Sequence, residues 1–245
     1  MVALVRGARE FDLFGGWEEG DEEHRTAGPL GLTAEVQRRL RLVVGIDDVL
    51  PKEIARRLLE ATLALSQPVQ LVCREGTLEY LSAALRAHEI DVVLSDAPVT
   101  PNLNDRAYNH HLGTCGESWM AIPTLAKALR PGFPKSLHGA PILLPTADTA
   151  IRRSLDQWLD RHGVQPLIVG EFEDYALLRQ FASAGHGAAP VPDVVTAQFR
   201  KESGLALVGP ARKVEGQFYA ISMERKITHP AVLAICDKAS QIFSA

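Results

Sequence analysis

A chain of 245 residues with a net charge of −4 sits near the size where one core stops growing, so it makes one large domain or two small lobes. Hydrophobic residues at 46% and charged residues at 23% are ordinary for a globular protein, and the mild acidity gives nucleic acid no electrostatic reason to bind. Cys73, Cys115 and Cys236 are odd in number and far apart, which suits buried thiols in a reducing cytoplasm better than a disulfide frame.

No apolar run approaches the roughly 18 residues of a membrane span. The first residues lack the apolar core and cleavage site of an export signal, so a cytoplasmic location is expected. Residues 1–39 differ from the rest. Leu4, Ala8, Phe11 and Phe14 fall at helical spacing, and the run from Gly15 to His24 is acidic, glycine-rich and too poor in apolar surface to fold alone.

From Leu40 the pattern is strand, helix, strand, helix. Leu40 to Ile46 reads as a strand, and Pro51 opens a helix with Ile54, Leu58, Thr62 and Leu65 on one face. Val69 to Cys73 is a second strand, Thr77 an N-cap for a helix through Leu78, Leu81 and Leu85, and Asp91 to Leu94 a third strand. Strands alternating with helices of this length imply a parallel sheet. Proline and asparagine mark 97–104 as a loop, and Tyr108 to Ile122 reads as one extended stretch, long enough to cross between lobes.

The second half repeats the alternation. A strand at 141–144 leads to a helix at about 150–162 ending at Gly163, and a strand at 167–170 to a helix at about 174–184 ending at Gly185. Both glycines stand where a left-handed residue is wanted. An apolar stretch from Ala188 to Val191, a helix near 193–202 and two strands, 205–208 and 216–224, precede a last helix opened by His229-Pro230. The last long strand returns the chain to the first lobe. An α/β protein of two lobes joined by two crossovers is the expected fold.

Four of these strands end in carboxylates or hydroxyls: Asp47 and Asp48, Ser95 and Asp96, Thr146 with Asp148 and Thr149, and Glu171. In open α/β sheets, ligands sit outside the carboxyl ends of the strands. Each group also has a plainer role. Asp47 or Asp48 would cap the helix at Pro51, Ser95 and Asp96 would form a turn, and Thr149 would cap the next helix. Glu171, Glu173 and Asp174 would favour the dipole of the helix they precede. Taken together, oxygen groups from two lobes suit a hard cation or a proton, with lobe closure as the two-state element. His110 and His111 are adjacent on a strand and point to opposite faces, which argues against a metal site, and Cys115 reads as a buried structural thiol. No nucleophile elbow, zinc helix, P-loop or dinucleotide fingerprint stands at a strand–helix junction, so neither catalysis nor a cofactor is expected.

The run from Leu81 to Asp96 resembles the helix, turn and strand that close the first lobe's sheet in LysR-type effector-binding domains. Leu178 to Pro192, with Ala184-Gly185-His186-Gly187 inside it, resembles that family's "helix, Ala-Gly-x-Gly, apolar strand, Pro" run in the second lobe. The resemblance covers about residues 40–243. Cys115-Gly116-Glu117-Ser118, Gly170 to Asp174 with Ala176-Leu177, and Glu224-Arg225 with His229 to Val232 and Ile235-Cys236 look like the family's branch of sodium/proton antiporter regulators.

The resemblance implies a two-lobed, periplasmic-binding-protein-like (type 2) effector domain with two crossover strands and a central cleft. One lobe would take 40–112 and 216–245, the other 113–215, with 1–39 as an atypical lead-in or linker-helix remnant. It implies a ligand-sensing regulatory domain whose cleft closes on a small molecule or a cation, sodium in that branch, and so alters a homo-oligomer. In that oligomer the first lobe of one protomer would lie against the second lobe of its neighbour. The site would be Asp47, Asp48, Ser95, Asp96, Thr146, Thr149 and Glu171. DNA would be reached only through a winged helix-turn-helix, for which the residues before Leu40 are too few. A solute-binding protein of the same fold is the alternative, although such proteins are normally exported.

Overall fold

The computed structural model describes residues 39–100 and 107–244. The lead-in expected at 1–39 lies, but for its last residue, outside them, as does part of the 97–104 loop.

In the first lobe, β1 (Leu40–Asp47) pairs in parallel with β2 (Val69–Gly76) and β3 (Val92–Ser95). Its side chains alternate, and both faces are covered. Leu42, Val44 and Ile46 meet Ile54 and Leu58 of α1 (Lys52–Leu63) and Ile235 and Ala239 of α7 (Pro230–Phe243). Val43 faces the other way, onto Leu81 and Leu85 of α2 (Leu78–Arg86). Two-sided burial is why β1 reads as a continuous apolar run. Each fully covered leucine or isoleucine contributes about 1.5–3 kcal/mol. Thr77 caps α2 as expected, its hydroxyl accepting from the Tyr80 N–H at 3.3 Å.

Two long antiparallel strands join the lobes: β4 (Tyr108–Ala121) and β8 (Ala206–Ser222). The six-stranded sheet runs β2-β1-β3-β8-β4-β7, with β7 spanning Ala189–Pro192. The expected strands at 205–208 and 216–224 are therefore one. Tyr108 to Gly116 pairs with Ser222 back to Glu215, and Ser118 to Ala121 with Pro210 back to Ala206. Ala211 to Val214 loop out opposite Glu117, which makes the sequence look broken.

In the second lobe, β5 (Pro141–Pro145) pairs in parallel with β6 (Leu167–Phe172), and a bridge from Ile142 to Ala188 ties them to the main sheet. Trp119, Leu155, Trp158, Val208 and Val214 fill the core with α3 (Pro123–Leu129) and α4 (Ala150–Arg161). Helix α3 has no counterpart in the expected elements. Helices α5 (Tyr175–Ser183) and α6 (Thr196–Ser203) complete the lobe, α6 following a short 3₁₀ turn at Asp193–Val195. Gly163 (φ 61°) and Gly185 (φ 88°) are left-handed as expected. The cysteines correct one expectation: all three are free, but only Cys115 is buried, and Cys73 is exposed because β2 is the sheet's edge.

Candidate functional site

The first-lobe strands deliver their polar ends to one place. Asp47 is 4% exposed, and the Ser95 hydroxyl donates to its Oδ2 at 2.6 Å. Burial pushes the Asp47 carboxyl up, while Ser95 and the Val49 N–H, among its hydrogen bonds, pull the other way. Ser95 is fully buried, and its oxygen also accepts from the Ala97 N–H, so it braces Asp47 from behind. Helix α1 begins after Pro51 with no side-chain cap, so capping by Asp47 or Asp48 does not occur. Instead Asp47, Asp48 and Asp96 line a pocket of about 270 Å³ between the lobes. Burial pushes the Asp96 carboxyl up to about 7, with the charge of Asp47 adding and that of Arg153 opposing.

Across the pocket stand Thr146, Thr149 and Arg153. Thr149 caps α4, accepting from the Arg152 N–H at 3.2 Å and donating to the Thr146 carbonyl at 3.0 Å. Its plainer role is therefore real. The Thr146 hydroxyl is buried without a hydrogen-bond partner among the described residues, and so is open to a ligand. The N-termini of α2, at Thr77, and α4, at Thr149, both open onto this pocket, with Arg153 beside them. Each wall thus carries acids and a helix N-terminus, Asp47, Asp48 and Asp96 with Thr77 on the first lobe, Asp148 and Glu173 with Thr149 on the second.

Glu171 goes elsewhere. It is ion-paired with Arg152, a buried guanidinium that also holds Asp156 at 2.9 Å and the Pro145 carbonyl at 2.8 Å. It does not line the pocket. Arg153 and Glu173 do, and neither was singled out as a contact by the sequence. Glu117, on β4, was quoted in a motif without a role. It is 3% exposed, and burial, then Asp193 and Asp96, push its carboxyl well above the usual range.

Cys115 is pushed up to about 12, chiefly by burial, which leaves its thiol inert at neutral pH. The two histidines separate as strand alternation requires. His110 Nε2 meets the Ser222 hydroxyl at 3.0 Å, and His111 stacks edge-on against Tyr219. Among the described residues no group of three or more His, Cys, Asp or Glu is arranged to hold a metal ion. Any cation in this cleft would rest on mixed oxygens, carboxylate with hydroxyl.

Comparison with known proteins bears on this geometry. The transcriptional activator protein NhaR of Escherichia coli (strain K12) is 30% identical over 195 residues, which is 79% of this chain and 64% of NhaR. NhaR of Shigella flexneri matches with the same figures, so the chain spans just under two thirds of these relatives' length. The reduced regulatory domain of OxyR2 from Vibrio vulnificus superposes with a TM-score of 0.64 at 15% identity, covering 83% of this chain and 96% of that one. The apo regulatory domain of HypT from Salmonella typhimurium gives 0.62 at 16%, covering 84% and 97%. At such identities the likeness speaks for the fold alone. Residues 35–241, which carry both lobes, both crossover strands and the pocket, match the LysR substrate binding domain, and the chain belongs to that family.

Proposed function

We propose that this chain is the sensing module of a LysR-type regulator whose inter-lobe cleft closes on a small cation, with sodium the first candidate. One observation carries the reading. Asp47 and Asp96 meet from neighbouring strands beside the pocket, neither joined to a cation in an ion pair among the described residues, across from the unpartnered Thr146 hydroxyl. A pocket that holds buried acids at raised pKa stores a demand for positive charge. Arg153 answers part of it, and an entering cation would displace that influence from Asp96. Sodium follows from the resemblance to antiporter regulators and from the preference of hard cations for oxygen.

Lobes at 40–112 with 216–245 and at 113–215 would move about the paired β4 and β8. Self-association is supported by exposed apolar residues on both lobes. Leu167, Ile168 and Val169 lie along β6 with Leu177 and Phe181 on α5, while Leu63 and Leu233 project from α1 and α7. A first-lobe to second-lobe dimer covers both sets, and sedimentation velocity should show it. DNA would be engaged by a winged helix-turn-helix, which is not among the described residues. No helix among them is long and apolar enough to cross a membrane, and the cytoplasm is the proposed location.

Isothermal titration with sodium, lithium and potassium chlorides, at ionic strength held constant with choline chloride, tests the reading. Saturable heat is expected for at least one cation. Flat titrations with all three would remove the cation site.

A further inference from the structure

The inter-lobe pocket leaves the buried acid Glu117 unused. A second pocket, of about 330 Å³, opens where β8 loops out. It is lined by Gly116, Glu117, Asp193, Arg212, Lys213 and Glu215 among others, and none of these six lines the inter-lobe pocket.

Three observations set this place apart from a solvated groove. First, Glu117 is 3% exposed, yet its Oε2 has no hydrogen-bond partner among the described residues. A buried polar atom left so costs about 1–3 kcal/mol, so it marks a place where a donor belongs. Second, the charges that act on Glu117 are those of Asp193 and Asp96, both negative. Arg212 and Lys213 stand exposed on the looped-out segment and form no ion pair with it among the described residues. Third, the backbone makes room for the acids. A Cβ on Gly116 would lie 2.5 Å from Asp193 Oδ2, and the Ser118 hydroxyl fixes that carboxylate by donating to Oδ1 at 2.5 Å. Lys213 takes φ 70°, which a lysine adopts only when the surrounding structure holds it.

One acid, Glu117, is thus buried at the base, while Asp193 and Glu215 stand exposed beside the cations Arg212 and Lys213. A bare metal ion would answer Glu117 and offer nothing to Arg212 and Lys213. We propose that this pocket binds a small amphoteric molecule, an ammonium at one end and an acidic group at the other. The ammonium would donate to Glu117 Oε2 and face Asp193, and the acidic end would face Arg212 and Lys213. The site shares no lining residue with the cleft.

Isothermal titration with glycine, β-alanine and 4-aminobutyrate, against methylammonium and acetate as one-ended controls, reads the proposal directly. At least one two-ended compound should bind tenfold or more tighter than both controls. Glu117→Gln should weaken it at least tenfold. The double change Arg212→Ala with Lys213→Ala, at two exposed side chains, should do the same, with unchanged circular dichroism as the check that the protein is folded. Asp48→Asn, in the cleft and not among the charges that act on Glu117, should leave it within twofold. The proposal is overturned if no two-ended compound gives saturable heat, if one binds no tighter than its controls, or if one binds but ignores the rim change. Loss of binding in Asp48→Asn would overturn it too, by moving the ligand into the cleft. Loss of sodium heat with amine binding intact would sink only the cation reading.

Discussion

Asp96 and Glu171 end comparable strands in the two lobes, look alike in the sequence, and meet opposite fates. Asp96 sits largely buried at the pocket beside Asp47, its carboxyl pushed up to about 7. Glu171 is half exposed and neutralised by Arg152, which the first turn of α4 turns back onto β5 and β6. The chain after β3 runs instead into Ala97-Pro98, and Arg153, whose charge acts on Asp96, forms no ion pair with it among the described residues. A carboxylate at a strand end therefore becomes a candidate ligand group only where the next element brings no arginine to pair with it. Rank in the sequence pattern does not decide this, and the neighbour does.

The largest expected effect tests the neutralised side. Arg152→Ala removes a buried guanidinium shared by Glu171, Asp156 and the Pro145 carbonyl. The cost should be about 3 kcal/mol, a fall in Tm of roughly 6–12 °C by scanning fluorimetry. A loss under about 1 kcal/mol would reduce the bridge to an ordinary surface pair.

The next tests the unpaired side by pH. The folded state holds the Asp96 proton up to about 7, whereas the unfolded chain releases it near 3.8. The folded state thus binds more protons between those values. The stabilisation is complete below 3.8 and is lost as pH rises through 7. Between pH 5 and pH 8 this group should remove about 2–3 kcal/mol, and Asp96→Asn should flatten that part of the slope in urea titrations. Equal slopes in both proteins would mean Asp96 is not a protonated buried acid.

Ser95→Ala is a smaller perturbation on the same wall. It strips the hydroxyl from a carboxylate that is 4% exposed and should cost about 1–2 kcal/mol while pushing Asp47 further up. A neutral result would show that the nearby backbone N–H groups alone suffice. The smallest effect sharpens the contrast itself. Glu171→Gln should leave cation affinity within twofold, where Asp96→Asn weakens it tenfold or more. A tenfold loss on the Glu171 change would return that residue to the site.

Much of the fold was legible because local chemistry and tertiary need agree. Thr77 and Thr149 cap the helices they precede, and Gly163 and Gly185 end theirs in the left-handed region. The run 209–215 was misread because a segment looped out against β4 cannot be told from a loop between two strands until β4 is beside it. Asp47, Asp48, Asp96, Thr146 and Thr149 do come together at the pocket. Glu117 was missed, although strand alternation puts it on the face of Cys115, and that pattern would have flagged a buried acid.

The sequence by itself determined the alternation of strand and helix, the caps, and the family to which the chain belongs, because these depend on residues within a few positions of one another. Only the tertiary structure decided which acids stay unpaired. Arg152 lies 19 positions from Glu171, and Asp47 lies 48 from Ser95, so the partner of each carboxylate is chosen by how β1, β3, β5, β6 and α4 pack. Charge acts through space, and no run of letters carries that distance.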